Sequence, residues 1–220
     1  MTNLPTNAAA QTRRRYEAVV VAASKGGVRA LAALLSGLPP DFPLPIAIVQ
    51  HRTSRQPYLL DKVLGRHTGL RVKAAAEGEA MRPGTVYLAP PHLHMIVRPD
   101  RKLAFFDGRK IRHLLSSANP LFESAAEALH GRVIAVVLTG YDRDGTDGVQ
   151  SVKRRGGLVI AQDQESAEQF GMPQSAIETG SVDRILPLNQ IANELVRLAK
   201  LEPVAAESAP RQESIRVPQL

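Results

Sequence analysis

The stretch AVVVAASKGGVRALAALLSGL (residues 18–38) joins a short apolar run to a helical pattern through a glycine-containing turn. Residues 18–23 are typical of a buried β-strand, because the run is short, continuous and rich in valine. The residues after the turn carry apolar side chains at helical spacing, and Gly37 with the prolines that follow it ends the helix. A strand that passes directly into a helix is the repeating unit of parallel α/β sheets.

The same alternation of apolar strands and helices continues along the chain. Strands are predicted at 46–50, 71–76, 85–90, 133–138, 158–162 and 184–187, with a hairpin over 94–108. Helices are predicted at 57–66, 120–130, 146–155 and 189–200, and a short helix from Pro173. Because the main strands lack polar alternation, both faces of the sheet are expected to be covered. We predict a doubly wound, mainly parallel sheet in three α/β/α layers, with an added β-hairpin.

The domain is expected to span residues 16–200 as one unit, since a chain of 220 residues offers one well-buried core with tails. Residues 1–15 are polar and rich in alanine without a helical or strand period, and residues 201–220 mix proline, serine and charge. Both ends are predicted to be flexible tails.

The composition excludes several classes of protein. Cysteine is absent, so neither a disulfide nor a thiolate metal site is available. No apolar run approaches the roughly 18 residues that cross a bilayer, and no signal-peptide core precedes the first strand, which predicts a cytoplasmic protein. The formal net charge of +7 favours anionic partners. Because the basic residues are scattered and aromatics reach only 4%, we predict no nucleic-acid binding, while an acidic protein partner remains open.

The turn after the first strand allows two functional interpretations. The run KGGV (residues 25–28) is typical of the start of a phosphate-binding loop, in which backbone N–H groups and a lysine hold an anion. Arg29 and Ala30, however, stand where such a loop needs its second lysine and its magnesium-binding hydroxyl. The nucleotide-binding interpretation is therefore disfavoured.

Ser24 supports the second interpretation, a nucleophile held on a sharp turn between a strand and a helix. The small residues around it leave room for a crowded backbone, and the following helix N-terminus supplies N–H donors. A serine hydroxyl also needs a general base within reach. His51 directly follows the second strand, IAIVQ (residues 46–50), so it is expected at the same edge of the sheet as Ser24.

A third group of polar residues follows the strongest predicted strand, in TGYDRDGTDG (residues 139–148). Asp142, Asp144 and Asp147 each supply a carboxylate there. One of them can orient the histidine of a serine hydrolase. Capping of the next helix, by Asp144 or Thr146, is the alternative that remains.

Two patterns are compatible with a metal, and neither is specific. The spacing of Asp142 and Asp144 recurs in Ca²⁺ loops, but the terminal glutamate and the flanking helices of an EF-hand are missing. His92 and His94 lie two residues apart, and two ligands without a nearby third do not make a site. We predict no metal and no cofactor.

An ordered set of motifs resembles a known family. The motifs are ASKGG (23–27), IVQH (48–51), GTVYLAPPHLHM (84–95), VVLTGYDRDGTDG (136–148), GGLVIAQDQESAEQFGMPQSAIETG (156–180) and ILPL (185–188). No single motif is specific, but the set resembles the catalytic domain of chemotaxis protein-glutamate methylesterases of the CheB type. The resemblance covers roughly residues 17–200.

The resemblance implies a Ser-His-Asp hydrolase that removes methyl groups from glutamate methyl esters on chemoreceptor helices. Many members of the family also deamidate receptor glutamines. By motif position, Ser24 would be the nucleophile, His51 the general base and acid, and Asp144 the orienting carboxylate. The backbone N–H groups of Lys25 and Tyr141 would stabilise the oxyanion.

One residue has an open role, and several others differ from the family pattern. Met172 is interpreted as lining the substrate cleft, with a plain core role as the alternative. Ala22 stands where the family usually has glycine, Lys25 where it has a small residue, and Ser116 and Asn119 where it has proline and aspartate. A stand-alone catalytic domain without the receiver domain of the best-known members is expected. A hydrolase acting on another signalling protein and a non-catalytic scaffold remain alternatives.

Overall fold

The computed structural model describes residues 15–51, 59–107 and 116–200. The strands are β1 (Ala18–Ala23), β2 (Ile46–Gln50), β3 (Arg71–Ala74), β4 (Thr85–Leu88), β5 (His94–Val97), β6 (Leu103–Phe106), β7 (Val133–Val137), β8 (Leu158–Gln162) and β9 (Arg184–Leu186). The helices are α1 (Gly27–Ser36), α2 (Leu60–Gly65), α3 (Ala118–Ala128), α4 (Thr146–Arg154), α5 (Gly171–Glu178) and α6 (Leu188–Ala199).

Seven of these strands form one parallel sheet in the order β3-β4-β2-β1-β7-β8-β9, and β5 and β6 form a separate antiparallel hairpin. Val20 of β1 lies between Ala47 of β2 and Ala135 of β7. The chain moves from β1 to one side of the sheet and returns to its other side at β7. The prediction of a doubly wound sheet with an added hairpin is confirmed, and its switch point lies beside β1, where such sheets bind ligands.

The central strand β1 is buried on both faces, which explains its lack of polar alternation. Val19 and Val21 pack in one apolar cluster with side chains of α1, α2 and α6. Val20 and Ala22 pack on the opposite face with side chains of α3, α4, α5 and the hairpin. Each buried valine stabilises the fold by roughly 1.5–3 kcal/mol. The two clusters hold the carboxyl end of β1 rigidly between the helical layers.

Two helices begin two residues earlier than predicted, and for the same reason. Helix α3 starts two residues before Pro120, and α5 starts two residues before Pro173. In both helices the proline is the third residue, where its missing N–H also has no intrahelical acceptor. Because proline is tolerated throughout the first turn of a helix, it did not mark the first residue of either helix.

The remaining differences are small. Strands β3 and β4 are two residues shorter than predicted at their carboxyl ends, and β7 is one residue shorter. The predicted tails at residues 1–15 and 201–220 lie outside the described residues, apart from Arg15. Among the helices of the described ranges, none has the length and apolar character that crossing a bilayer requires.

Candidate active site

The turn that carries Ser24 is fixed by the strands on both sides of it. The Ser24 N–H donates to the carbonyl of Thr139, at 2.9 Å, just beyond β7. The Ser24 carbonyl accepts from the N–H of Gly27 at 2.9 Å and from the Gln50 side-chain amide at 2.8 Å. The half-buried serine therefore has a defined backbone position at the carboxyl edge of the sheet.

The two glycines after Ser24 serve the turn. Gly26 has a φ of +78°, a conformation that favours glycine. At Gly27, a Cβ would lie 2.1 Å from the side-chain oxygen of Gln50 and 2.8 Å from the Cβ of Ala23. Because the Gly27 N–H bonds to the Ser24 carbonyl, it does not point towards an anion as in a phosphate-binding loop.

The loop after β7 approaches Ser24 closely. A Cβ at Gly140 would lie 2.8 Å from the Cβ of Ser24 and 2.1 Å from the sulfur of Met172. The Gly140 N–H donates to the carbonyl of Gln169, and its carbonyl accepts from the Met172 N–H, both at 2.9 Å. The absence of a side chain at residue 140 therefore brings the aspartate-bearing loop against the serine.

His51 lies at the same edge of the sheet as Ser24, between two carboxylates, and within the described residues no hydrogen bond joins its ring to the Ser24 hydroxyl. Its backbone N–H donates to the Ala23 carbonyl at 2.9 Å, which extends the pairing of β1 and β2 by one residue. The side chain is 7% exposed. Nε2 lies 2.7 Å from Oδ2 of Asp144, and Nδ1 lies 3.5 Å from Oδ2 of Asp142. The structure therefore brings His51 and Asp144 together as the resemblance implied, with Asp142 as an additional neighbour.

The carboxylate of Asp144 has no exposed surface and is held by the start of α3. The Ser117 hydroxyl donates to Oδ1 at 2.5 Å, and the Ala118 N–H donates to Oδ2 at 2.6 Å. The N-terminus of a helix stabilises a negative charge through its free N–H groups and its dipole. Asp144 is thus fixed in place where it bonds to Nε2 of His51.

Ser117 is the residue that sequence reasoning missed. Its hydroxyl accepts from the Asn119 N–H at 3.2 Å as the N-cap of α3, and the same hydroxyl donates to Asp144. Its own N–H donates to Nδ1 of the buried His94 at 3.1 Å. A serine shortly before a helix-tolerated proline is an N-cap signal, and it would have pointed to this residue.

The structure places the two residue pairs that the sequence made compatible with a metal, His92 with His94 and Asp142 with Asp144, in different surroundings. His92 is exposed, whereas His94 is fully buried and stacks on Phe106 with 5.0 Å between ring centroids. Asp142 and Asp144 both approach His51. Across residues 15–51, 59–107 and 116–200, no group of three or more histidine, aspartate or glutamate side chains has an arrangement that could hold a metal ion.

The backbones of Lys25 and Tyr141 are available near Ser24. The Lys25 carbonyl accepts from the Thr139 hydroxyl at 2.9 Å, which fixes the peptide that follows it. In the described part of the chain, neither the Lys25 N–H nor the Tyr141 N–H donates a hydrogen bond. The side chain of Lys25 is exposed, and Tyr141 is 66% exposed. Both residues thus have free donors at the edge of the site.

Met172 does not occupy the position predicted for it. It is fully buried, and its sulfur packs against Gly140. A side chain without exposed surface cannot contact a substrate in this conformation, so the prediction that it lines the cleft is wrong. Its role is the alternative one, in the core beneath the loop after β7.

Two of the residues that differ from the family pattern are buried in the fold. Ala22 is fully buried in the middle of the sheet, and its methyl group is accommodated in the core. Asn119 is buried, and its Oδ1 accepts from the Gly148 N–H at 2.8 Å, which joins the start of α3 to α4. The preceding residues 108–115 lie outside the described residues.

His51 is expected to titrate well above the range of an ordinary histidine. Burial on its own lowers the pKa of His51, but the hydrogen bond to Asp144 and the charges of Asp142 and Asp144 outweigh burial and raise the pKa to about 9. The histidine is then a neutral base only at alkaline pH. Because the folded pKa is raised, His51 stabilises the fold fully below pH 6.5 and loses this contribution as pH rises through about 9.

The measurement is an NMR titration of the His51 ring with Asp142→Asn as the comparison. We expect a midpoint near 9 in the unmodified chain and a lower midpoint in the variant, since one carboxylate loses its charge. A midpoint at or below 6.5 in the unmodified chain would mean that burial outweighs the two carboxylates.

Known proteins are similar to this chain in sequence and in fold. The family model described as CheB methylesterase matches residues 19–195. A Leptospira interrogans protein, provisionally assigned as a protein-glutamate methylesterase/protein-glutamine glutaminase, is 39% identical over 183 residues, which cover 83% of this chain and 95% of that protein. Protein-glutamate methylesterase FrzG of Myxococcus xanthus is 40% identical over 83% of this chain, but this chain spans only 54% of FrzG.

A solved structure matches as well. The crystal structure of the Thermotoga maritima CheB methylesterase catalytic domain superposes with a TM-score of 0.79 at 39% sequence identity. The match covers 83% of this chain and 98% of that domain. The matched family range includes Ser24, His51 and Asp144.

Proposed function

The chain belongs to the CheB methylesterase family, and on this premise we propose that it is a protein-glutamate methylesterase and protein-glutamine glutaminase of chemotaxis. Its substrates are glutamate methyl esters and glutamines on the cytoplasmic helices of chemoreceptors, which places the reaction in the cytoplasm. The observation that carries the proposal is the buried His51–Asp144 pair beside the Ser24 turn.

Acylation begins when Oγ of Ser24 attacks the side-chain carbonyl carbon of the substrate. Since Asp144 occupies Nε2 of His51, Nδ1 is the ring nitrogen that takes the hydroxyl proton. Asp144 keeps Nε2 protonated and stabilises the imidazolium that forms. Nδ1 then gives the proton to the methoxy oxygen, methanol leaves, and an acyl-enzyme remains on Ser24.

The developing oxyanion is stabilised by the backbone. The Lys25 N–H follows the nucleophile directly, and the Tyr141 N–H follows Gly140, whose backbone packs against Ser24. Both donors are free in the described part of the chain. Helix α1 adds its positive N-terminal end at the same place. One such donor typically contributes roughly 3 kcal/mol to transition-state stabilisation.

Deacylation repeats the proton transfers with water as the nucleophile. Nδ1 of His51 takes a proton from water, which attacks the acyl carbon, and Ser24 leaves with the proton returned by His51. The product is a glutamate side chain. With a glutamine substrate the same steps release ammonia in place of methanol.

The proposal is tested with a purified cytoplasmic fragment of a chemoreceptor. We expect methanol release from the fragment methylated at its glutamates and ammonia release from the same fragment with glutamine at those positions. The unmethylated glutamate fragment is the control and should release neither product. A folded enzyme that releases no methanol from methylated fragments would contradict the proposed activity.

A further inference from the structure

Asp142 lies at the opening of the site with its carboxylate directed towards the catalytic histidine. Its Oδ1 accepts from the Asp144 N–H at 2.8 Å, which fixes the side chain against its own loop. Its Oδ2 lies 3.5 Å from Nδ1 of His51. The side chain is 41% exposed, so the carboxylate is accessible from solvent. None of the catalytic steps described above uses this group.

Nδ1 of His51 is also the place from which the leaving group receives its proton, because Asp144 occupies Nε2. The departing atom of the substrate must therefore come within hydrogen-bond distance of Nδ1. Since Oδ2 of Asp142 is 3.5 Å from that nitrogen, the departing atom also lies beside this carboxylate. Asp142 thus faces the part of the substrate in which the two substrates differ.

We propose that Asp142 is a specificity-determining residue that favours deamidation of glutamine over hydrolysis of glutamate methyl ester at the same serine. The inference rests on the proposed function, since it assigns a preference between its two reactions. A glutamine presents an NH₂ group, which donates a hydrogen bond to the carboxylate. A methyl ester presents only an oxygen with lone pairs, which has nothing to donate.

The difference grows as the reaction proceeds. In the amide reaction the proton of Ser24 passes through Nδ1 to the nitrogen, the C–N bond breaks, and ammonia leaves. Positive charge develops on the nitrogen as it takes this proton, and a carboxylate beside it stabilises that charge. In the ester reaction the same proton passes to the methoxy oxygen, the C–O bond breaks, and neutral methanol leaves. Asp142 therefore lowers the barrier of the amide reaction more.

The test compares two reactions of one enzyme. The chemoreceptor fragment is prepared with glutamine or with glutamate methyl ester at the same position, and kcat/KM is measured from ammonia and methanol release. In Asp142→Asn, which keeps the shape and an Oδ1 acceptor, we expect the glutaminase-to-esterase ratio to fall roughly tenfold. Asp142→Glu keeps the carboxylate and should restore most of the ratio. The ratio cancels any change in His51 basicity that is common to both reactions.

Asp147→Asn is the matched control, because Asp147 is an exposed carboxylate just beyond the same loop, and its ratio should stay unchanged. An unchanged ratio in Asp142→Asn would overturn the inference while leaving both activities in place. Wild-type enzyme that releases methanol but no ammonia would also overturn it, with the esterase proposal intact. Loss of both products in the wild type would instead contradict the proposed function.

Discussion

Ser24→Ala is expected to lower kcat/KM for methanol release by roughly four to six orders of magnitude, as removal of the nucleophile does in other serine hydrolases. Without the hydroxyl no acyl-enzyme forms, and only the oxyanion donors remain to assist direct attack by water. The substitution should leave stability nearly unchanged, because Ser24 Oγ makes no hydrogen bond within the described residues. The measurement is methanol release together with a thermal unfolding curve.

Ser36→Ala is the matched control for this variant. Ser36 is an exposed serine at the end of α1, and its hydroxyl bonds to the Ala33 carbonyl, away from the carboxyl edge of the sheet. Its activity should match the wild type. If folded Ser24→Ala released methanol at a rate close to that of the wild type, Ser24 would have no part in the chemistry.

Asp144→Asn is expected to lower kcat by roughly three to four orders of magnitude. Asparagine is neutral, so the imidazolium of His51 loses its stabilising charge. Its amide group can also donate to Nε2 of His51, which places the proton on Nδ1 and prevents that nitrogen from accepting the proton of Ser24. The measurement is kcat for methanol release, with the His51 titration as a second readout that should shift to lower pH.

Ser117→Ala should weaken the support of the Asp144 carboxylate without removing its charge, so a smaller loss of activity is expected than in Asp144→Asn. It removes one of the hydrogen bonds to the Asp144 carboxylate, so we expect a loss of activity about tenfold and a loss of unfolding free energy of about 1–3 kcal/mol. Ser116→Ala is the control, since the buried Ser116 hydroxyl has no hydrogen-bond partner in the described part of the chain.

Full activity in Asp144→Asn would show that this carboxylate does not orient His51.

The architecture was predictable because burial leaves a direct mark on the sequence. The runs at β1 and β7 are entirely apolar, and those at β2 and β8 are apolar up to a final glutamine. Parallel strands share a carboxyl edge, so residues just beyond β1, β2 and β7 had to meet. The positions of Ser24, His51 and the aspartate loop follow from that constraint.

The detailed geometry was not predictable, because it depends on side chains that approach from distant parts of the chain. The sequence does not say which ring nitrogen of His51 meets Asp144, since this depends on ring orientation. The support from Ser117 arises because the start of α3 packs against the loop after β7. Met172 was misplaced because an apolar side chain at a loop–helix junction fits a cleft or a core equally well.

The most direct test of the account is to locate the acyl-enzyme. A methyl-ester peptide substrate is mixed with the enzyme, the reaction is stopped with acid during turnover, and proteolytic fragments are examined by mass spectrometry. The account predicts an added mass equal to the peptide minus methanol, on Ser24, and its absence from Ser24→Ala. An adduct on another residue, or one that persists in Ser24→Ala, would contradict it.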